Sequence, residues 1–367
     1  MVRVLTRTKR SLQRQCLRKS GNLHRSVRRS IKRSPPVHPK NRQGGVALMI
    51  VLLVVTIATV LSTSIAKNQS RTIGTASSYF DRAQAYYFAR GGEIFARQLL
   101  FRDFKEQPER DDLTEEWAAL DLVFEYEGGE VQIYIEDLQG RFNLNQFVAD
   151  NRQGSLLSQK LSLMTAQIGL DPAWMDDLLD YTDIDGEVRL GGAEDYFYLG
   201  LDQPYRTSGQ ALQDLSEIRM LRSMSAEGYR RLSEVLTVTP AMAPSLNVNT
   251  APALVLQTLA SDLTLEQASA LIDRRASVEG FESVQEFLQQ PELAGLAVKA
   301  EGLGVQSSFF KANIKARYAN QILYLTSFIY REPTTGEMTV YKRINNARFT
   351  IPLQASESDQ VQEANGA

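Results

Sequence analysis

The hydrophobic pattern divides the chain into stretches of different period. The first is Val46 to Ala66, VALMIVLLVVTIATVLSTSIA, 21 residues without a charge. At about 1.5 Å per residue, a helix of that length spans the ~30 Å hydrocarbon core of a bilayer. The run is longer than the core of a secretory signal peptide and no Ala-x-Ala site closes it, so it reads as a membrane anchor. Beyond it, Ile73, Phe80, Tyr87, Ile94 and Phe101 recur every seven residues, with Ala76 and Ala83 between them. That spacing predicts that the helix continues to about Arg102 as a half-buried stem with one apolar stripe, softened or kinked at Gly91-Gly92.

After an acidic link around Glu106 to Glu116 the period becomes two. Val131, Ile133 and Ile135 alternate with Gln132, Tyr134 and Glu136, and Gly128-Gly129 offers a hairpin turn. The same style returns near the end in SFFKANIKARY, QILYLTSFIYR and MTVYKRI, the last two joined by a turn at Pro333 to Gly336. Between these regions, from Gln146 to Leu303, the periods are helical, as in LEQASALIDRR, where Leu265, Ala268, Leu271 and Ile272 share a face. The fold class is therefore α+β. A basic leader (1–45) precedes a long N-terminal helix (46–102). An antiparallel sheet drawn from 103–145 and 304–353 is interrupted by a large inserted α-helical domain (146–303). The tail, 354–367, is rich in Gln, Glu and Ser and is expected to be disordered.

Charge sharpens this division. The formal net of -2 joins a leader with 14 Lys or Arg and no acid to a remainder with 27 basic and 43 acidic residues, a net of -16. A body this acidic repels nucleic acid and attracts cations. The single Cys16 and the two histidines, His24 and His38, all precede the apolar run. Without the leader, the chain has no disulfide, no thiol nucleophile and no imidazole, which excludes a His-based triad.

One acidic segment carries candidate chemistry. Asp183, Asp185, Glu187 and Glu194 occupy relative positions 1, 3, 5 and 12, the ligand spacing of an EF-hand, but the glycine needed at position 6 is Val188. An EF-hand is not expected. Clustered carboxylates still favour a hard cation, because like charges this close repel unless neutralised. Calcium suits oxygen ligands in flexible geometry, with Asp183, Asp185, Glu187, Glu194 and Asp195 as ligands and Asp202, Asp214 and Glu217 as weaker candidates. The bland alternative is a solvated acidic loop with helix caps. A paired-carboxylate hydrolase is a further alternative, without any substrate-binding signature beside it.

The junction before the anchor reads Arg42-Gln43-Gly44-Gly45 and the anchor opens at Val46. This resembles the type IV pilin and type II secretion pseudopilin superfamily. The resemblance implies that prepilin peptidase cuts after Gly45, leaving Val46 as an N-methylated amino terminus. Most members carry Glu at mature position five; here that position is Ile50, or Met49 if the cut falls after Gly44. The usual Glu is thought to neutralise the terminal amine of the subunit ahead in the fibre, and a subunit with nothing ahead needs no such partner. The segment Asp180 to Leu221 adds Asp183-x-Asp185, Gly192 to Asp195, Tyr196 and Tyr198, Pro204-Tyr205 and Ser216 to Arg219. In these features the chain resembles the general secretion pathway protein K family, the K-type minor pseudopilins. That likeness implies a pilin-like fold interrupted by a calcium-binding α-domain and a place at the tip of the pseudopilus, where the subunit initiates or caps assembly. It implies minor pseudopilins I and J, the major pseudopilin and the inner-membrane assembly platform as partners. It further implies a single-pass inner-membrane protein with its body in the periplasm and no catalytic role. An uncleaved signal anchor is the plainer reading of the N-terminus, and the Arg-rich, acid-free start also suits a mitochondrial presequence.

A reading from a different class comes from Ser245 to Leu288, which resembles a helix-hairpin-helix of DNA-uptake proteins. In such modules a glycine-rich turn aims backbone N–H groups at phosphate. Here the turn is Ser261-Asp262-Leu263 and the local basic pair is Arg274-Arg275, on an acidic body. A helical packing unit is the expectation, with no nucleic-acid partner.

Overall fold

The computed structural model describes residues 44–120, 122–150, 155–240 and 245–349. The leader as far as residue 43, with Cys16, His24 and His38, and the tail at 354–367 lie outside them. The chain divides into two compact units, one up to Asn68 and one from Gln69 onward. The described part of the first is helical throughout and opens α1 (Gly44–Glu106). Its large apolar side chains, from Val46 to Ile65, are all more than half exposed. The hydroxyls of Thr56, Thr59 and Thr63 donate to the carbonyls of Leu52, Val55 and Thr59 at 2.6, 2.8 and 2.9 Å. Hydroxyls satisfied inside the helix make the segment compatible with hydrocarbon. Among the described residues one helix is long and apolar enough to cross a membrane.

In the second unit α1 runs to Glu106, four residues past the expected end, and stops two residues before Pro108, whose ring cannot continue a helix. A 3-10 turn at Glu116–Ala118 leads to β1 (Leu122–Tyr126) and β2 (Gly129–Asp137). A region of short elements follows: β3 (Phe142–Asn143), α2 (Leu144–Asp150), α3 (Leu156–Gln167), α4 (Ala173–Thr182) and α5 (Asp195–Leu199). It continues with a 3-10 helix at Leu215–Met220, α6 (Ala226–Leu232), β4 (Leu236–Thr237), β5 (Leu246–Asn247), α7 (Ala253–Gln257) and α8 (Leu265–Ser277). Next come α9 (Val284–Leu288), a 3-10 turn at Pro291–Leu293 and β6 (Leu303–Gly304), before β7 (Phe309–Tyr318), β8 (Gln321–Arg331) and β9 (Met338–Asn345).

The long strands form one antiparallel sheet in the order β1-β2-β7-β8-β9, so β2 pairs directly with β7 across the whole helical region. Register places Ile133 beside Ile314 and Ile314 beside Leu325. Because side chains alternate across a strand, that register gathers Val131, Ile133, Ile135, Ala312, Ile314, Ala316, Leu323 and Leu325 on one face. They pack with Ala85, Ala89, Ala96, Leu99 and Leu100 of α1. On the other face ions pair across strands, Lys311 to Glu136 at 2.8 Å and Arg317 to Glu130 at 3.1 Å.

The packing revises the reading of the stem. The seven-residue series is not the buried face: Ile73, Phe80, Tyr87, Ile94 and Phe101 are 69, 57, 67, 51 and 41% exposed. The sheet is met instead by small residues, which let the backbones approach. Gly92 is the tightest point, where a Cβ would lie 2.8 Å from Ile314 Cγ2 and 3.0 Å from Val131 Cγ1. The helix is continuous through Gly91-Gly92, so the pair serves contact rather than a break. Beside it Glu93 is fully buried, accepting from Arg90, Ser327 and Arg343 at 2.6–3.0 Å. Burial pushes its carboxyl up, but the Arg343 and Ser327 hydrogen bonds and the Arg90 charge prevail and hold it below the usual range.

The helical region has a separate core that includes Trp174, Tyr198, Phe281 and Phe287. It is organised by one device used twice. In Asn143-Leu144-Asn145 and Asn247-Val248-Asn249 the first side chain accepts the N–H of the second, at 3.1 and 2.9 Å. The second Asn then satisfies a distant backbone, Asn145 at Leu212 and Thr239 and Asn249 at Phe281. The strands bearing these residues pair in parallel, β3 with β4 and β5 with β6. On α8, Ala268 and Leu271 are buried, whereas Leu265 is 46% exposed and lies off the expected face.

Candidate functional site

Gly45, Val46 and Ile50 all lie on the first turns of α1, where a Cβ on Gly45 would meet nothing within 4 Å and Ile50 is 56% exposed. The basic patch preceding them, through residue 43, lies outside the described residues.

The acidic group forms where α4 ends. Asp183 caps that helix in extended conformation, its N–H donating to Leu179 O at 3.0 Å. The loop returns to α4 through two glycines. Gly191 N–H donates to Asp176 Oδ2 at 3.2 Å, and a Cβ on Gly192 would lie only 1.9 Å from Asp180 Oδ2. Asp176 and Asp180 are four residues apart on one helical face, so a carboxylate on each turn anchors the loop. The fold-back brings Glu194, just before α5, to Asp183 and Asp185, with one carboxylate oxygen of each within 4.8 Å of the others.

The electrostatics of this group are unbalanced. Arg189 donates from Nη1 to Asp180 Oδ1 at 2.5 Å and to Asp183 Oδ2 at 2.6 Å. It is one guanidinium against four carboxylates. Asp183 Oδ1 and Glu194 Oε1 are buried without a hydrogen-bond partner, and Glu194 is only 7% exposed. Burial, then the charges of Asp180 and Asp183, push the Glu194 carboxyl up. Two orphaned buried oxygens beside an exposed third carboxylate fit a hard cation such as calcium, which takes oxygen ligands and neutralises their repulsion.

Of the five residues expected as ligands, Asp183, Asp185 and Glu194 converge and two do not. Asp195 faces the strap that follows α5, accepting from Thr207 N and Oγ1 at 2.8 and 2.9 Å and from Arg206 at 2.9 Å. The Thr207 bonds hold its carboxyl below the usual range. Glu187 lends its backbone N–H to Asp185 Oδ1 at 2.8 Å, while its side chain is not among the converging carboxylates. Among the weaker candidates, Asp214 and Glu217 form the capping box of the 3-10 helix at Leu215–Met220, and Asp214 also takes Lys342 at 2.6 Å. Asp180 and Arg189 were missed by spacing. Their signal was the i, i+4 acid pair on α4 preceding a glycine pair.

A second acidic group was invisible in the sequence, since its members come from distant elements. Asp103 ends the stem, Asp111 and Glu115 lie on the link, and carboxylate oxygens of all three approach within 4.8 Å. Arg331 of β8, 1% exposed, holds two of them, donating to Asp111 Oδ1 at 2.5 Å and approaching Asp103 at 3.5 Å, and donates also to Ser307 O at 2.7 Å. Its guanidinium lies over the Phe310 and Phe104 rings at 4.8 and 5.3 Å. Burial and the Asp103 charge push Glu115 up to about 9, and burial and the Asp111 charge push Asp103 up to about 7 against Arg331.

In the hairpin formed by α7 and α8, Arg275 is turned inward, 6% exposed, and donates to Val248 O and Ala251 O at 2.9 and 2.8 Å. Of the basic pair only Arg274 reaches solvent.

Comparison with known proteins agrees with this architecture. Two family models, each described as type II secretion system (T2SS), protein K, match residues 140–241 and 246–306. The type II secretion system protein K of Klebsiella pneumoniae is 31% identical over 312 residues, 80% of this chain and 94% of that protein. The protein K of Pseudomonas aeruginosa is 32% identical over 300 residues, 79% and 89% of the two chains. A chain of the crystal structure of the GspK-GspI-GspJ complex from the enterotoxigenic Escherichia coli type 2 secretion system superposes with a TM-score of 0.65. It is 25% identical and covers 74% of this chain and 99% of its own. A long apolar N-terminal helix, a helix-on-sheet body and these relatives together define a minor pseudopilin. Within that class the chain belongs to the type II secretion system protein K family.

Proposed function

We propose that this chain stands at the tip of the type II secretion pseudopilus, where it starts or caps assembly together with minor pseudopilins I and J, for export of folded proteins across the outer membrane. The single observation that carries this reading is the open stripe of the stem. One face of α1 is filled by the sheet, while Ile73, Phe80, Tyr87, Ile94 and Phe101 leave an apolar line of about 42 Å uncovered. A line of large exposed apolar side chains of that length is suited to contact with the stems of neighbouring subunits. Ile50 and the bulky helical region inserted between β2 and β7 favour the tip over the shaft, because the one lacks the usual acidic partner and the other is too large for a close-packed fibre.

In this reading prepilin peptidase cuts between Gly45 and Val46, the new terminus is methylated, the anchor crosses the inner membrane once and the body lies in the periplasm. The major pseudopilin and the inner-membrane platform are further partners. Calcium binds Asp183, Asp185 and Glu194, with Arg189 balancing the remaining charge.

The decisive experiment is co-purification with I and J. Phe80→Glu and Tyr87→Glu, on the open stripe, should abolish complex formation while leaving the chain's own unfolding midpoint unchanged. Wild-type assembly by both variants would refute the stripe as the interface. Sequencing of the membrane-extracted protein should begin at Val46, and an intact leader would refute processing there.

A further inference from the structure

The helical region borders a second feature, a cavity of about 1000 Å³ open to solvent on one side and remote in sequence from the acidic loop. Its wall includes Leu156, Leu157 and Lys160 at the start of α3, and Lys299 and Glu301 of the segment before β6. Lys160 is the unusual member. It is 7% exposed, yet makes no ion pair or hydrogen bond among the described residues. The stem of the side chain is buried while its nitrogen, which is not fully buried, keeps access to the cavity, so a largely desolvated ammonium with no carboxylate bonded to it faces that space. Burial draws its pKa down, opposed by the charge of Glu301, an exposed carboxylate on the same wall that is not bonded to it.

The start of α3 supplies an independent attraction for negative charge. Ser155 accepts Ser158 N–H at 3.2 Å on its side chain and Gln159 N–H at 2.9 Å on its carbonyl. The amides of Leu156 and Leu157 come before the first intrahelical bond, and both residues line the cavity. A helix of 12 residues concentrates partial positive charge at that end. Lys299, exposed on the wall, adds a further cation, whereas Arg141 is committed to Glu136 at 3.0 Å. Asp150 also lines the space and already has a partner.

We propose that this cavity binds a small oxyanion ligand, a carboxylate or a phosphate, seated between the Lys160 ammonium and the first amides of α3, with Lys299 as a second cation. The volume is at the upper end of small-molecule pockets, so the anion can be carried on an organic scaffold. Bound there, it would give Lys160 the counter-ion that the protein itself withholds.

Calorimetry on the full-length chain in detergent, with inorganic phosphate and citrate as probes, tests this. Wild type should take up at least one probe saturably; tighter citrate binding assigns a carboxylate ligand and tighter phosphate binding a phosphate. Lys160→Met keeps the length and apolar stem of the side chain and should weaken binding about tenfold or more, the loss of one charge-assisted contact. Glu301→Gln, at an exposed position where folding is not in question, should tighten binding by removing a repelling carboxylate. Absence of uptake of both probes by wild type overturns the proposal. So does wild-type affinity in a folded Lys160→Met variant or, if that variant does not fold, wild-type affinity in Glu301→Gln.

Discussion

Gly91 and Gly92 are adjacent in sequence but make opposite demands on a methyl group. Both sit inside a helix, where replacing Gly by Ala gains about 1 kcal/mol by restricting the unfolded chain and improving helix propensity. At Gly91 a Cβ meets nothing within 4 Å, so Gly91→Ala should keep that gain. At Gly92 it would stand 2.8 Å from Ile314 Cγ2, 3.0 Å from Val131 Cγ1 and 3.4 Å from Ile133 Cδ1. Those atoms belong to a β-branched layer pinned by strand register, so helix and sheet must separate slightly. Overpacking of this kind costs about 1–3 kcal/mol. Gly92→Ala should therefore be neutral to ~2 kcal/mol destabilising after its own propensity gain. The two variants should differ by ~1–3 kcal/mol, or roughly 2–12 °C in midpoint at ~2–4 °C per kcal/mol. Thermal unfolding of the full-length chain in detergent, followed by near-ultraviolet circular dichroism, measures the gap. Coincident midpoints for the two variants would refute the close approach of stem and sheet.

Other consequences follow from the buried charges. Glu93→Gln leaves Arg343 and Arg90 without their carboxylate and should cost about 1–3 kcal/mol, at the lower end because both guanidiniums are about one third exposed. Since the Glu93 carboxyl is held low, its contribution is present above the unfolded value near 4.5 and fades as pH falls below it. The variant's urea midpoint should lack that acid-side loss. Glu115 has the opposite sign: its carboxyl is raised, so its contribution is fully present below the unfolded value near 4.5 and is lost progressively as pH rises from there through about 9. Relative to wild type, Glu115→Gln should gain stability from about pH 5 to about pH 9, and parallel urea profiles would contradict a raised Glu115 carboxyl. Calcium titration separates the carboxylates. Asp183→Asn and Glu194→Gln should weaken affinity at least about tenfold while Asp195→Asn leaves it unchanged, and equal losses in all three would return Asp195 to the ligand set.

Local periodicity determined much of this protein. Twenty-one uncharged residues fix a membrane-length helix because hydrocarbon tolerates only satisfied backbone. Alternation in β2, β7 and β8 made the strands legible, and the glycine junction, Ile50 and the acidic loop pointed to one family. Tertiary structure decided which faces are used. The seven-residue stripe of large residues was legible as a stripe, but period alone cannot say whether a face meets the chain's own sheet or awaits another chain. Only packing showed that alanines and Gly92 take the sheet and leave Ile73 to Phe101 open. The same limit governed the acids. Asp183, Asp185 and Glu194 meet because Gly191 and Gly192 fold the loop onto α4, whereas Asp195, beside Glu194 in sequence, points to Thr207. Arg331 with Asp103 and Asp111, and Lys160 in its cavity, leave no local signature, since their environment is assembled from residues far apart along the chain.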